Sequence, residues 1–408
     1  MTSGELQLRR PSDIAREAAG SAGGGGRDRR RALSWPPRFV GSDEDRNALL
    51  VLLGMAALTA RRLLELAQAE PSASACLTAV LAGRAGSPGD RTHAEATDGA
   101  QVAASVEESG ARLVAVDDPD YPGALLDLFD PPAGLLLSGQ TLASPEPRVA
   151  MVGARSCSRG GREIATILAA SLARAGACVV SGGARGIDAA AHAGALGAGG
   201  ATIAVLGSGI DVPYPRQNAG LLEEIRTCGR GTVVSEYPPG TRAEPFRFPA
   251  RNRIVAALSA AVVVVEGAEG SGSMITAEQA LDVGRDVYAV PGAVTSPLSH
   301  VPHALIREGA GLIRGPADLL LDLGLAQPGG AQAGSTGSFG RAHEERLVAT
   351  LPEEERAVWQ ALTGAMPADA IARVLEQPVS KVIAALVGLE IRGMVGQSGG
   401  RFERRLLG

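Results

Sequence analysis

The spacing of apolar residues along the chain changes at about residue 111. Within the stretch RNALLVLLGMAALTARRLLELAQ they recur at steps of three and four residues, which is the spacing of one face of an α-helix. Beyond Arg112 this spacing gives way to short unbroken runs of Val, Ile, Leu and Ala. We therefore predict a small helical domain over residues 44–110 and a different architecture after it.

The stretch from residue 111 to residue 325 alternates apolar runs with helical segments such as GREIATILAASLARAG. Runs that are apolar throughout predict strands covered on both faces. Strands alternating with helices predict a doubly wound, parallel sheet of the α/β class. The predicted strands are Arg112–Val116, Gly134–Gly139, Arg148–Val152, Ala177–Ser181, Ala201–Leu206, Gly231–Ser235, Ala261–Glu266 and Asp286–Val290.

The remaining segments predict an arm, a linker and a small folded domain. Residues 1–43 contain GSAGGGGRDRRR and little apolar periodicity, which is typical of a disordered basic arm. Residues 326–345 have the Gly-, Ser- and Gln-rich composition of a linker. Residues 346–408 then hold three helical segments and two short strands around a glycine turn, which is the layout of a winged helix.

Composition narrows the class of protein. No apolar run reaches the ~18 residues of a membrane helix, and the arginines near residue 30 are not followed by the apolar segment of a secretory signal. The four cysteines form no CxxC pair, so we expect reduced thiols in a cytoplasmic protein without a zinc site. A net charge of −5 does not by itself indicate a nucleic-acid binder, but a binding face is a local feature.

Glycines follow five of the predicted strands, at the edge where open parallel sheets bind their ligands. Glycine lets backbone N–H groups approach an anion closely, although a tight turn also needs glycine for its own geometry. For one turn we prefer the structural explanation. For five turns on one edge, phosphate binding is the better explanation. These turns begin at Gly153, Gly182, Gly207, Gly267 and Gly292.

Eight arginines fall in the loops of the same edge. Several could pair with acids such as Glu236 and Glu244, but their spread over several loops favours an extended polyanion over one small phosphate. The eight are Arg155, Arg159, Arg185, Arg216, Arg242, Arg247, Arg251 and Arg253. The segment Ser271-Gly272-Ser273 opens a further helix, where hydroxyls and free N–H groups either hold a phosphate or simply cap the helix.

Other chemistry has weaker support in the sequence. A dinucleotide site would need a GxGxxG turn after the Arg148–Val152 strand and an acidic residue at Ser181, and neither is present. Asp188 is expected to cap the following helix. With His192 it is a weak candidate for an acid–base pair, because a histidine there more often serves packing. The sequence shows neither a Ser/His/Asp order nor a metal cluster, so we predict no catalysis, metal or cofactor.

Seven linked motifs between about Asp118 and Leu321 resemble the DNA-processing protein A family, also called DprA or Smf. The resemblance implies an extended Rossmann fold that binds single-stranded DNA without sequence preference. It also implies protection of that DNA, loading of the RecA recombinase in natural transformation or recombination, and a homodimer. The motifs are VGARSCSRGG, VVSGGARGIDAAAHAGAL, GGATIAVLGSGIDVPYPRQN, SEYPPGT, FPARNRIVAALS, VVVVEGAEGSGSMITAEQALDVGRDVYAVPG and LIREGAGLI.

The resemblance implies phosphate contacts at Arg155, Arg185 and Arg216. Arg251 and Arg253 are weaker candidates, because a structural bracing role for Asn252 and Arg253 is the alternative. Because this edge has few aromatic residues, we expect backbone charge to dominate binding. The full set of candidate DNA-binding residues is Arg155, Ser158, Gly182, Gly183, Arg185, Arg216, Arg247, Arg251, Arg253, Ser271, Gly272 and Ser273.

Two other function classes remain open. A nucleotide phosphoribohydrolase would carry a PGGxGTxxE turn, but GSGSMITAEQ places Thr276 and Glu278 at a different spacing. A transcription regulator would read bases with the helix VSKVIAALVGLEI. That helix offers only Ser380 and Lys381 as polar readers near its start, so it favours packing or protein contact.

Overall fold

The chain forms two units in the computed structural model, Met1–Ala326 and Gln327–Gly408. The structure describes residues 33–142, 147–325, 348, 351–362, 364, 366–392, 394–398 and 400–404. The predicted linker of residues 326–345 therefore lies wholly outside the described residues, as do residues 1–32 of the predicted arm. Among the described helices, none has the length and apolar character needed to cross a membrane.

Five short helices lie between residues 43 and 108 of the first unit, in the stretch for which the sequence predicts helices. Each begins at a residue whose side-chain oxygen accepts a backbone N–H of the first turn, namely Ser42, Thr59, Ser72, Ser87 or Asp98. Their apolar faces meet around Leu49, Leu52 and Leu64, which are fully buried. The helices are α1 (Asp43–Leu53), α2 (Ala60–Ala67), α3 (Ala73–Leu81), α4 (Pro88–Ala96) and α5 (Gly99–Glu108).

The predicted arm of residues 1–43 extends too far toward the helical domain. Trp35, Phe39 and Val40 are buried in the core of the helical domain, and the two aromatic rings lie 4.8 Å apart. Asp117 accepts hydrogen bonds from the backbone N–H groups of Arg38 and Val40, at 3.1 and 2.8 Å. Residues 33–42 are thus part of the folded unit, because three apolar side chains without a regular period still find a core to join.

A nine-stranded sheet forms the centre of the first unit and confirms the α/β class. Its order is β1–β2–β6–β5–β4–β3–β7–β8–β9; all pairs from β6 to β9 are parallel, while β1 and β2 pair antiparallel at one side. The strands are β1 (Ala111–Ala115), β2 (Gly134–Gly139), β3 (Arg148–Val152), β4 (Cys178–Ser181), β5 (Thr202–Leu206), β6 (Gly231–Ser235), β7 (Ala261–Val264), β8 (Asp286–Ala289) and β9 (Gly311–Leu312).

Helices cover both faces of this sheet, as the unbroken apolar strands predict. Separate clusters of buried residues lie on the two sides, one around Val180 and Val262 and the other around Met151 and Leu168. The helices are α6 (Arg159–Arg174), α7 (Ile187–Gly197), α8 (Ala219–Thr227), α9 (Arg247–Ala257), α10 (Gly272–Asp282), α11 (His300–Arg307) and α12 (Pro316–Asp322).

The second unit contains the predicted winged helix. Its helices are α13 (Glu353–Ala361), α14 (Ala368–Leu375) and α15 (Val379–Ile391). A three-stranded sheet completes it, with strands β10 (Met366–Pro367), β11 (Val395–Ser398) and β12 (Arg401–Arg404) in the order β10–β12–β11. Trp359, Ile371 and Leu386 are buried at its centre.

Candidate functional site

The turns after β3 and β4 pack directly against each other and each presents an arginine. Gly186 has a φ of +78°, and an added Cβ there would lie 2.2 Å from the carbonyl oxygen of Ala154. Only glycine tolerates that conformation and that approach without strain. The backbone N–H of Ile187 also donates to Ala154, at 3.3 Å. Arg155 and Arg185 therefore lie on adjoining turns, and both side chains are exposed.

The loop after β5 adds a third arginine beside them. The side-chain amide of Asn218 donates to the carbonyl oxygens of Gly183 and Ala184, at 2.9 and 3.0 Å. These two bonds hold the turn Arg216–Asn218 against the turn after β4. Arg216 is exposed, so the structure brings together the three arginines that the sequence favours most.

The loop after β6 meets the others through aromatic rings. Phe248 lies 5.1 Å from Tyr214 between ring centroids, and the guanidinium of Arg155 lies 5.0 Å from the Phe248 ring. The Arg247 guanidinium donates to the carbonyl oxygen of Arg242 at 2.6 Å and lies 5.4 Å from the Phe246 ring. Cation–π contacts of this kind fix the direction of a guanidinium while leaving its other N–H groups free.

We call this surface the arginine edge, and its members are Arg155, Arg185, Arg216, Arg242 and Arg247. Within the described part of the chain, no carboxylate forms an ion pair with any of them. Tyr214 and Phe246 lie among these cations and are 43% and 58% exposed. Four of the twelve aromatic residues of the sequence thus lie at the arginine edge, namely Tyr214, Tyr237, Phe246 and Phe248.

Arg251 and Arg253 differ from this set because both side chains are buried on α9. Arg251 donates to the carbonyl oxygens of Gly182 and Val205, at the ends of β4 and β5. Burial lowers its pKa to about 10. Arg253 forms a two-pronged pair with Glu236, at 2.9 and 2.7 Å. Burial opposes the charge of Arg253, but Glu236 outweighs it and raises the pKa of Arg253. Their positions suit bracing rather than contact with a ligand.

In two of the glycine-rich turns, backbone N–H groups that could bind a phosphate already donate hydrogen bonds to carboxylates of the chain itself. Asp188 accepts the backbone N–H groups of Gly182 and Ala184, at 3.1 and 3.3 Å. Asp188 thus faces the turn before α7, whose N-cap is Gly186, so the expectation that Asp188 caps this helix is wrong. Glu266 accepts the backbone N–H and the hydroxyl of Ser158, at 2.8 and 2.6 Å.

The remaining glycine and serine candidates have internal roles. Gly183 adopts a φ of +67° and its carbonyl oxygen is bonded by Asn218. Ser271 caps α10 by accepting the Ser273 N–H at 3.3 Å, and the two hydroxyls lie 2.8 Å apart. Ser273 is buried, whereas Gly272 is exposed. Capping is therefore observed, and phosphate contact at this segment stays a prediction.

The pair Asp188 and His192 does not form an acid–base couple in the structure. The Nδ1 of His192 lies 2.7 Å from the Thr202 hydroxyl, which itself donates to the carbonyl oxygen of Val179 at 2.8 Å. His192 is fully buried, and burial together with the charge of Arg251 lowers its pKa to about 3. Among the described residues there is also no cluster of His, Cys, Asp and Glu that could hold a metal ion.

Comparisons with known proteins agree with this architecture. The family model for DNA recombination-mediator protein A matches residues 112–324, and the model for the DprA winged helix domain matches residues 342–401. The chain is 36% identical over 301 residues to Protein Smf of Escherichia coli, which covers 73% of this chain and 79% of that protein.

A protein and a solved structure from Streptococcus pneumoniae are also similar to this chain. The DNA processing protein DprA of that organism is 43% identical over 205 residues, covering 50% of this chain and 72% of that protein. The X-ray structure of DNA processing protein A from Streptococcus pneumoniae superposes with a TM-score of 0.59 at 35% identity. This match covers 67% of this chain and 97% of the other.

Proposed function

Because the chain belongs to the DNA recombination-mediator protein A family, we propose that it processes DNA by binding single strands without sequence preference. The arginine edge is the proposed binding surface. We further propose that the bound strand is protected and passed to the RecA recombinase, and that the protein acts as a cytoplasmic homodimer without a catalytic step of its own.

The observation that carries this proposal is the unpaired charge of the arginine edge. Four loops of one sheet edge present guanidinium groups, and no described carboxylate neutralises them. Guanidinium groups suit the forked geometry of phosphate oxygens. Contacts to phosphates carry no sequence information, which supports binding to any sequence.

The exposed rings of Tyr214 and Phe246 supply a second kind of contact. Base stacking on an aromatic ring contributes about 1–3 kcal/mol per base and accepts every base, because each base has a π-face. Such stacking needs bases that are not already stacked in a duplex. The combination of Tyr214 and Phe246 with surrounding arginines therefore favours single strands over double strands.

The proposal is tested with Arg155→Ala and Arg185→Ala in the full chain. Each variant should weaken binding to poly-dT and to mixed-sequence oligonucleotides alike. Each should also flatten the dependence of log affinity on log salt by about 0.7, the value for one phosphate on a single strand. Filter binding across a salt series measures both effects.

Arg91→Ala is the matched control. Arg91 is 52% exposed and pairs with Glu95 at 2.8 Å on α4, so its loss should change neither affinity nor salt dependence. If Arg155→Ala and Arg185→Ala both bind with the wild-type affinity and salt slope, the arginine edge is not the DNA-binding surface.

The proposed RecA and dimer functions need separate measurements. RecA loading is followed as the rate at which RecA displaces single-strand-binding protein from DNA, with and without the wild-type chain. We expect acceleration by the wild type and a smaller acceleration by Arg185→Ala. Sedimentation equilibrium measures the homodimer, and a monomer at every concentration would contradict it.

A further inference from the structure

The start of helix α6 carries two arginines beside the arginine edge. Arg159 opens the helix directly after its N-cap Ser158, and Arg162 follows three residues later. Both are exposed, and among the described residues neither forms an ion pair. Arg159 is one of the eight arginines that the sequence predicts for the loops, but the structure places it on a helix.

The direction of α6 brings both side chains toward the arginine edge. Because α6 follows β3, its amino-terminal end lies at the carboxyl edge of the sheet, where the turn with Arg155 also lies. Side chains of an α-helix tilt toward its amino-terminal end. The side chains of Arg159 and Arg162 therefore extend toward the arginine edge rather than away from it.

Arg162 lies on the side of α6 that packs against α7. A Cβ at Gly194 of α7 would lie 2.5 Å from the carbonyl oxygen of Thr166, so Thr166 marks this side. Arg162 precedes Thr166 by four residues, which places the two in the same row. Because β3 and β4 are parallel neighbours, α6 and α7 run in the same direction. Arg162 therefore lies toward the start of α7, which Arg185 directly precedes.

The carboxylates around the start of α6 leave this charge in place. Glu266 bonds Ser158, and the buried Asp188 of α7 accepts backbone N–H groups of its own turn. Asp318 of α12 pairs with a different arginine, at 2.8 Å. Glu163 follows Arg159 by four residues, yet it is absent from the ion pairs of the described residues. The start of α6 thus extends the cationic surface.

Helix stability does not explain why arginines stand at this position. The amino-terminal end of an α-helix carries partial positive charge, so cations there are unfavourable and anions are favourable. Helices α1 and α13 follow this rule with three acidic residues each in their first turn. Helix α6 has no acidic residue in its first turn and carries the arginines instead. An anion that both arginines bind would account for this arrangement.

We propose that a bound single strand continues from the arginine edge onto α6, where Arg159 and Arg162 hold its phosphates. The proposal rests on the proposed function and adds the path by which the strand leaves the sheet edge. The charge of the two arginines is complementary to DNA and continuous with the arginine edge. Glu266 and the Ser158 hydroxyl already accept the N–H groups of Ser158 and Gly161, so the guanidinium groups make the contacts.

The double variant Arg159→Ala/Arg162→Ala in the full chain tests this path. It should lower the affinity for long poly-dT by about tenfold, as the product of two exposed contacts of about threefold each. It should flatten the dependence of log affinity on log salt by about 1.4, because each of two phosphates contributes about 0.7. Affinity should also level off at a shorter oligonucleotide length. Fluorescence anisotropy with a length series of labelled poly-dT measures all three effects.

Two further variants serve as controls. Arg159→Lys/Arg162→Lys keeps both charges and should retain the wild-type salt dependence. Arg174→Ala removes an exposed arginine from the last turn of the same helix and should bind as the wild type does. The alanine double variant should unfold at no lower temperature than the wild type, because removing cations from the first turn does not weaken the helix.

The outcomes separate this proposal from the proposed function. If Arg155→Ala weakens binding but Arg159→Ala/Arg162→Ala binds every length with wild-type affinity and salt dependence, the strand does not reach α6. The path is then overturned and the proposed function stands. Wild-type DNA binding with slower RecA loading would assign Arg159 and Arg162 to a protein partner and would also overturn the path. If the wild type binds no single strand, the proposed function fails and the path fails with it.

Discussion

The candidate arginines of the sequence divide into an exposed group and a buried group in the structure. Arg155, Arg185 and Arg216 lie on loops and are exposed, whereas Arg251 and Arg253 lie within α9 and are buried. A buried cation is costly unless carbonyl oxygens or a carboxylate compensate for the lost water, and both residues have such partners. Removing either one would leave its partners unsatisfied, so its loss would affect stability before it affects binding.

His192 illustrates the same cost of burying a charged group and gives a prediction about how stability depends on pH. Its pKa is lowered from 6.5 to about 3 by burial, with a smaller contribution from Arg251. Between these values the unfolded chain binds a proton that the folded chain does not bind. The stability that neutral His192 contributes is therefore present above pH 6.5 and is lost progressively as the pH falls toward 3.

Substitution of His192→Gln should remove this pH dependence. The difference in unfolding free energy between the wild type and the variant should shrink by about 1–2 kcal/mol from pH 7 to pH 5. Urea unfolding at several pH values measures it. Thr227→Ala, at an exposed position, should give a constant difference. A difference for His192→Gln that is equally constant would mean that folding does not change the pKa of His192.

At the scale of elements, most of the sheet could be predicted from the sequence. The predicted bounds Gly134–Gly139, Arg148–Val152 and Gly231–Ser235 agree with the structure residue by residue, because short apolar runs next to glycine or proline are typical of buried strands. The two-residue strand β9 has no such run and was not predicted. Glu266, predicted as the end of a strand, lies beyond β7 and bonds Ser158 instead.

The contact of Glu266 with the Ser158 amide could not be predicted, because it joins residues far apart in the chain, whereas Asp188 fills amides only four and six residues away. Ser158 and Glu266 are separated by 108 residues. A glycine-rich turn that binds a phosphate and one that accepts an internal carboxylate have the same local sequence requirement, which is the absence of a Cβ. Which anion fills the turn is decided only when strands β3 and β7 pair in the sheet.

The contact between Glu266 and the start of α6 predicts that a Gly-to-Ala substitution in this helix lowers the free energy of unfolding instead of raising it. Gly-to-Ala exchange inside a helix normally stabilises it by about 1 kcal/mol. At Gly161, however, an added Cβ would lie 2.3 Å from the carboxyl carbon of Glu266. Gly161→Ala should therefore lower the free energy of unfolding by about 1–3 kcal/mol, as the bonds of Glu266 to Ser158 are displaced. Urea unfolding measures it.

The double variant Gly161→Ala/Glu266→Ala isolates that contact. Without the carboxylate, Gly161→Ala should become stabilising relative to Glu266→Ala alone. Gly160→Ala, one residue earlier, meets nothing closer than the Ser158 hydroxyl at 3.8 Å and should have the same effect in both backgrounds. If Gly161→Ala is equally destabilising with and without Glu266, the contact is not its cause.

At the scale of the whole molecule, charge pairing explains how a chain of net charge −5 can present a cationic surface. In the helical domain, four arginines pair with carboxylates, which removes them as contacts for DNA; these are Arg46, Arg61, Arg84 and Arg91. The arginine edge has no such partners among the described residues. Net charge therefore describes the sum over the surface, while binding depends on which cations remain unpaired.

The distribution of unpaired cations over several loops predicts how affinity depends on the length of the DNA strand. Since Asp188 and Glu266 fill two amide sites and the free cations lie on separate loops, one phosphate finds no enclosed site but a strand finds several contacts. Affinity should rise with oligonucleotide length and level off within the roughly 4–16 nucleotides of other single-strand sites. Fluorescence anisotropy with labelled poly-dT measures this dependence.

Competition by the mononucleotide dTMP distinguishes binding of a strand through several dispersed contacts from binding of one nucleotide in an enclosed pocket. We expect dTMP not to displace a long oligonucleotide even in large excess, because it can use only one of the dispersed contacts. Arg216→Ala should reduce the gain in affinity with length, while Arg91→Ala should not. Efficient displacement by dTMP would instead indicate one enclosed phosphate pocket, and a nucleotide phosphoribohydrolase would then explain the arginine edge better than a surface for single-stranded DNA.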